Sequence, residues 1–236
     1  MFLNRILKRL NIIHYKMEDL FADTFGLKFT SNIVFDSIHN TNAYEIKSEI
    51  NENNKSKINF TYKEAEYLYV YNIEKYENYS GTTIMKKVIE LGKKLNVKYI
   101  ELCDYAMFNL GDYKDLSIAL APFHIITTGS SWYNKLGFKS DNTNDEILEN
   151  EKIINLHLCE LIDDEYCERF KENFPEIDIT KLSLKQIFIY FKKTYINHKK
   201  EERKKMTYMQ SYLLEDLTLD LFYILCYEPT LRYYFD

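Results

Sequence analysis

Two strings of this 236-residue chain carry residue types that could do chemistry. The first is Tyr76-Glu77-Asn78-Tyr79-Ser80-Gly81-Thr82-Thr83, between a strand-like run and a helical one. Ser80 and Thr82 beside Gly81 are the small and capping residues that let a strand turn into a helix. Exposed amides at such a helix start, together with the positive end of the helix dipole, accept an anion without any basic side chain. The amides of Tyr79, Ser80, Gly81, Thr82 and Thr83 are the candidate donors, and an ordinary capped turn is the competing reading of the same residues. The second string is Ser131-Trp132-Tyr133-Asn134-Lys135-Leu136-Gly137-Phe138. Between the two, Glu101 and Asp104 lie on or just after a buried strand-like run, where a carboxylate could take a proton directly or through water.

Other reactive residue types reduce to structure. His14, His39, His124, His157 and His198 form no metal-ligand spacing, and none pairs visibly with a cysteine, so no metal is expected. Cys103, Cys159, Cys167 and Cys226 have no CxxC spacing and no cleavable signal peptide opens the chain, so a reduced, cytoplasmic protein is expected. Tyr67, Tyr69 and Tyr71 occupy alternate positions and read as packing rather than as a base-stacking platform. Trp132 reads as a core anchor. The run HKKEERKK, ending at Lys205, contains Glu201 and Glu202 and reads as a solvated helix surface or turn. With 36 acidic and 31 basic side chains the net charge is −5, so no positive field exists to hold a polyanion and nucleic acid is not the expected partner.

Placing these residues requires a set of elements. Tyr44, Ile46 and Ile50 alternate with polar residues, and Ile58, Phe60 and Tyr62 repeat the alternation after an Asn-rich break, which predicts a β-hairpin. Glu66 to Tyr71 is apolar or aromatic on both faces, as in a central strand. Ile84, Met85, Val88, Leu91 and Leu95 then fall on one helical face, and Val97 to Cys103 reads as a second buried strand. Together they predict a strand, crossover helix and parallel strand within a mixed sheet. Pro122 suits the first turn of a helix running on through Trp132 and Tyr133 to a stop at Gly137, with Gly129 as its weak point. The polar stretch Asp141 to Glu149 reads as a boundary. Beyond it the pattern is helical, with Ser183 capping a helix that carries Leu184, Ile187, Phe188, Phe191 and Tyr195. Met206, Met209, Leu213, Leu217, Leu221 and Ile224 mark another. The opening residues Phe2, Leu3, Ile6, Leu7 and Leu10 have amphipathic helical spacing, and no stretch approaches the ~20 apolar residues of a spanning helix. Only 6 Gly and 3 Pro among 46% hydrophobic residues exclude collagen-like and linker classes.

The order and separation of the two strings resemble a GNAT-type N-acetyltransferase. In that family a loop Gln/Arg-x-x-Gly-x-Gly/Ala opens the central helix, and a later helix ends in a Tyr-x-x-Leu-Gly-Phe-like string. Tyr133, Leu136, Gly137 and Phe138 match the second motif. In the first only Gly81 matches, with Tyr76 and Tyr79 standing where the family has Gln or Arg and Gly. The Gly-Ser-Ser-Trp-Tyr-Asn-Lys-Leu-Gly-Phe string is also similar to acetyltransferases of large DNA viruses, which would put the protein in a host cytoplasm. The resemblance covers about Tyr44 to Ser140. It implies an α/β (α+β) domain with a mixed central sheet flanked by helices over residues 1–140, and it leaves residues 141–236 as a helical C-terminal extension. It implies acetyl-coenzyme A as cofactor, with its pyrophosphate on the amides of Tyr79 to Thr83 and its carbonyl polarised by a backbone amide near Tyr71, Asn72 or Ile73. It gives Tyr133 the role of acid to the departing thiolate, with Asp104 or Glu101 as base, and an amine of a small molecule or protein as acceptor. A catalytically silent fold of the same kind, used as a binding or scaffold module, is the alternative. A homodimer is left open.

Overall fold

The computed structural model describes residues 17–48, 58–73, 79–109, 113, 115–196 and 205–235. The amphipathic opening at Phe2 to Leu10 and all but the last residue of HKKEERKK lie outside them. The fold is mixed α and β, and the chain divides into two compact units, Met1–Cys103 with Thr230–Asp236, and Asp104–Pro229. The division expected at 140/141 therefore falls elsewhere. Its physical reason is the last strand of the chain, which belongs to the sheet of the first unit.

In that unit a helix over residues 17–25 (α1) precedes β1 (Phe29–Asp36), β2 (Thr41–Ser48), β3 (Ile58–Lys63) and β4 (Tyr67–Ile73). Then come α2 (Gly81–Lys94) and β5 (Tyr99–Cys103), and the unit closes with β8 (Thr230–Tyr234). The sheet order is β1-β2-β3-β4-β5-β8. β4 and β5 are parallel and every other neighbour pair is antiparallel. The hairpin expected around Tyr44 and Tyr62 is the β2–β3 pair, with those two residues opposite each other. The expected strand, crossover helix and parallel strand is β4–α2–β5, Tyr67 facing Tyr99 and Val70 facing Leu102. β1 was not legible, because Phe29–Asp36 is an edge strand whose apolar Ile33 and Phe35 stay exposed. An edge strand has no second partner to enforce alternation.

Pleating sends alternate side chains to opposite faces. One face, with Ile46, Phe60, Leu68, Val70 and Ile100, carries both helices. The rings of Phe21 and Phe25 pack on Phe29 and Phe60. α2 buries Ile84, Met85, Val88, Leu91 and Gly92, and a Cβ at Gly92 would come within 2.8 Å of Ile100 and Phe235 side-chain carbons. Lys87 Nζ donates to the Thr24 carbonyl at 2.9 Å, tying α2 to α1. The other face carries Thr61, Tyr67, Tyr69, Glu101, Cys103 and Arg232, placed there by the same registers.

The second unit contains the short pair β6 (Met107–Asn109) and β7 (Ser117–Ala119) and five helices. These are α3 (Leu120–Thr128), α4 (Thr143–Ile154), α5 (Asp164–Asn173), α6 (Leu184–Phe191) and α7 (Tyr208–Ile224). Ile126, Phe170, Phe188, Phe191, Leu213 and Leu217 form its fully buried core. Ser183 does cap α6, in a capping box with Gln186, and Thr207 with Gln210 does the same for α7. Three expectations change. The helix at Pro122 stops at Gly129, whose φ of 84° closes it in the left-handed region, so Trp132 and Tyr133 lie in a turn before a 3-10 segment, Asn134–Leu136. The polar stretch after Asp141 is α4, with acidic Asp145 and Glu146 at its positive end and Thr143, Asn150 and Ile154 buried. The region 141–236 is not wholly helical, since β8 pairs with β5. The cysteines differ too. Cys159 and Cys167 form a disulfide with Cα atoms 5.7 Å apart, and Cys103 and Cys226 are free. The short turn Leu158–Glu160 brings Cys159 back beside α5, which a search for CxxC spacing does not detect. Among the described residues no helix is long and apolar enough to cross a membrane.

Candidate functional site

The expected site residues fall in both units, and each group is described within its own. In the first unit, β4 is interrupted on both sides at one point. Its pairing with β5 runs from Tyr67↔Tyr99 to Val70↔Leu102. Its pairing with β3 shifts register between Asn59↔Asn72 and Phe60↔Val70, which leaves Tyr71 as the extra residue of a β-bulge. Tyr71 is about half exposed, and burial pushes its phenol up. Opposite the bulge, the Asn59 side-chain oxygen is buried and has no hydrogen-bond partner. Tyr71 thus sits in the bulge, and Asn72 and Ile73 beyond it pair with Asn59 and Ile58 of β3 but not with β5.

From this strand end the chain turns into α2. Ser80 is its N-cap, and the Ser80 hydroxyl accepts from the Thr83 amide at 3.1 Å and lies 2.8 Å from the Thr83 hydroxyl. The amides of Gly81 and Thr82 occupy the first turn, where helix geometry provides no acceptor within the helix. Tyr79 lies just before the cap, and Lys87 Nζ stands 4.3 Å from its ring centroid. Of the expected donors, Thr83 is therefore engaged by the cap, and Gly81 and Thr82 are the ones that the helix leaves pointing outward.

Glu101 stands in a network that the sequence did not reveal. It is 2% exposed. Arg232 Nε donates to its Oε2 at 2.5 Å, and His39 Nε2 lies 3.1 Å from its Oε1. His39 Nδ1 lies 2.8 Å from Asp36 Oδ2, which also accepts from the Tyr67 hydroxyl at 2.8 Å. The His39 ring stacks on Tyr67 at 4.0 Å and meets Tyr69 edge-on at 5.6 Å. With a carboxylate facing each ring nitrogen, the chain is complete when both nitrogens carry protons. Burial raises the Asp36 carboxyl, but hydrogen bonds from His39 and Tyr67 outweigh it and leave that group below its ordinary value. The β1–β2 turn supplies His39: Asp36 Oδ1 accepts from the Ile38 amide at 2.9 Å, and Asn40 takes a φ of 51°. A turn-forming Asp three residues before His39 was the available signal, but Glu101 and Arg232 are contributed by strands far along the chain.

In the second unit Tyr133 and Asp104 come together. Asp104 is 3% exposed, accepts from the Tyr227 hydroxyl at 2.8 Å and has the Ala106 amide at 3.5 Å from its other oxygen. Burial raises its carboxyl, against the pull of those two hydrogen bonds. Burial, and then the charge of Asp104, push the Tyr133 and Tyr227 phenols up. Tyr133 packs edge-on against Trp132 and Phe138, at 4.7 and 6.0 Å. Its turn is pinned by Ser131 and Asn134, each of whose side chains accepts from the other's amide. A raised phenol holds its proton securely at neutral pH and parts with it less readily. Glu101 and Asp104, the two candidate bases, are both buried.

Among the described residues no group of three or more His, Cys, Asp or Glu could hold a metal ion. No protein-family model matches the chain, and neither does any curated protein or solved structure.

Proposed function

We propose that the chain is an N-acetyltransferase that uses acetyl-coenzyme A to modify an amine of a small molecule or protein. The observation that carries this reading is the break in β4 at Tyr71, at the strand end from which the chain enters α2. Ligands of α/β units collect at the carboxyl ends of parallel strands, where the following helix begins. Here that end combines an opened ladder, the outward amides of Gly81 and Thr82, and the orphaned Asn59 oxygen. The coenzyme fits these groups: an anion for the helix start, and an N–H for Asn59. When bound it would supply an acyl group already activated as a thioester.

The chain's own residues then have distinct tasks. Gly81 and Thr82 hold the anion with amides and dipole, since Lys87 is engaged with Thr24 and Tyr79. Carbonyl polarisation falls to a backbone amide at the bulge residue Tyr71. Glu101 is gripped by Arg232 and His39, which makes it a poor direct proton acceptor. His39, with 14% of its side chain exposed, is the member of that network whose two ring nitrogens can pass a proton along it. Tyr133 keeps the acid role that the family resemblance gives it. The test is thermal stability with acetyl-coenzyme A. Ligand at 100 times its Kd adds about 2.7 kcal/mol, a shift of several degrees in Tm. No shift at millimolar coenzyme removes the proposal, whereas a shift without acetyl transfer to any amine leaves a binding module.

A further inference from the structure

The second unit contains a pocket of about 180 Å³ lined by Asp104, Tyr105, Met107, Leu219, Phe222 and Tyr223, among others. That is below the roughly 300–1,000 Å³ of sites for drug-sized ligands, so it suits a short aliphatic group. Its walls are apolar or aromatic, and its one charged lining residue is Asp104. Of the three buried carboxylates among the described residues, Asp36, Glu101 and Asp104, the last two make an instructive contrast. Glu101 in the first unit is paired with the Arg232 guanidinium and lies beside a His39 ring nitrogen. Asp104 has two neutral donors, Tyr227 and the Ala106 amide, and among the described residues no cationic side chain pairs with it. A buried carboxylate without a cation is costly when ionised, and the cost is removed by bringing a cation to it.

We infer that this pocket binds a primary alkylammonium group, with Asp104 as its counter-ion and the aromatic walls around its chain. Aromatic faces attract an ammonium as well as its methylenes. An ammonium fits better than a guanidinium, which prefers to engage both carboxylate oxygens, because Oδ2 of Asp104 is already committed to Tyr227. Two bare oxygens would also be needed for a hard divalent ion, which takes several oxygen ligands that this lining lacks. The site shares Asp104 with the acetyl-transfer reading, but its binding test requires neither coenzyme nor turnover.

The probes are n-butylammonium and its neutral counterpart 1-butanol, titrated into the full chain without coenzyme and followed by NMR shifts or calorimetry. Butylammonium should bind at least tenfold more tightly than butanol, and Asp104→Asn should abolish that preference. Asn keeps the shape and the hydrogen-bond capacity toward Tyr227, and burial already favours an uncharged side chain there, so the variant should fold. The butanol comparison on the native chain decides the matter even if it does not. Titratable groups around Asp104 are the phenols of Tyr227 and Tyr133, both held protonated, and those of Tyr105 and Tyr223 in the pocket lining, so affinity should rise with pH as Asp104 ionises. Nα-acetyl-lysinamide serves as a third probe. Binding tighter than butylammonium, with the same loss in Asp104→Asn, assigns the ammonium to a polypeptide lysine. Weaker binding assigns it to a free amine. Equal affinity for butanol and butylammonium, no binding of either, or an undiminished preference in Asp104→Asn overturns the inference.

Discussion

At the scale of single residues, Tyr133 has two readings that one atom separates. If its phenol donates to the departing sulfur, Tyr133→Phe keeps the ring against Trp132 and Phe138 but removes the donor. Turnover should then fall by roughly 10²- to 10⁴-fold while coenzyme affinity stays level. A packing residue would behave differently: Phe would be nearly silent and only Ala would hurt, through a cavity worth about 3–5 kcal/mol. Retention of at least half the turnover in the Phe variant removes the acid role. Asp36 makes a prediction about pH. Its folded-state value lies below the ordinary 3.8, so its contribution to stability is fully present above about pH 4 and is lost as pH falls further. Asp36→Asn should therefore flatten the acid limb of a stability–pH profile and lower stability at pH 7. Parallel acid limbs in the two proteins would show that the His39 network does not bear on folding.

At the scale of elements, the start of α2 can be separated from its body. Gly81 lies in the first turn, and a branched side chain there crowds an anion approaching the amides, while the helix tolerates it. Gly81→Val should weaken coenzyme binding at least tenfold, about 1.4 kcal/mol, with Tm changed little. Equal affinity in a well-folded variant would reduce the loop to a turn. Gly92, by contrast, is a packing glycine: its close approach to Ile100 and Phe235 belongs to the seam between helix and sheet and not to ligand binding. Glycines eleven residues apart on one helix thus do unrelated work.

The whole molecule is organised by a chain that leaves one unit at Asp104 and returns to it at Thr230. β8 covers the outer edge of β5, and it brings Arg232 to Glu101. Ending the chain at Pro229 would expose a strand edge and leave a buried carboxylate short of its guanidinium, a loss of about 3–5 kcal/mol when one partner of a buried pair is removed. The truncated protein should melt well below the full chain and aggregate, as read by thermal denaturation and light scattering. A monomeric product with unchanged Tm would make β8 a dispensable tail. The same truncation made earlier, near Asp141, would also remove α4 to α7, so the shorter cut isolates the role of the strand.

What could be read from the amino-acid order was whatever depends on neighbours in the chain. The alternation at Tyr44 to Tyr62, the doubly apolar run before Tyr71, the 3.6-residue period from Ile84 and the caps at Ser80 and Ser183 are all local, and they specified a crossover unit in a mixed sheet. The helix stop was local too, but it lies at Gly129 and not at Gly137, which closes only the 3-10 segment Asn134–Leu136. Features that rest on contacts across long separations were decided only by the tertiary structure. The polar stretch after Asp141 becomes a helix because Asn150 and Ile154 have a core to cover. The candidate site shows the same division. Ser80 to Thr83 declared itself through small residues at a helix start. At His39 the sequence marked only a turn, through Asp36, because the chemistry comes from Glu101, 62 residues away, and from a strand that returns at the far end of the chain. Side-chain charge and spacing are written in sequence, but burial, counter-charge and register exist only once distant segments share a sheet.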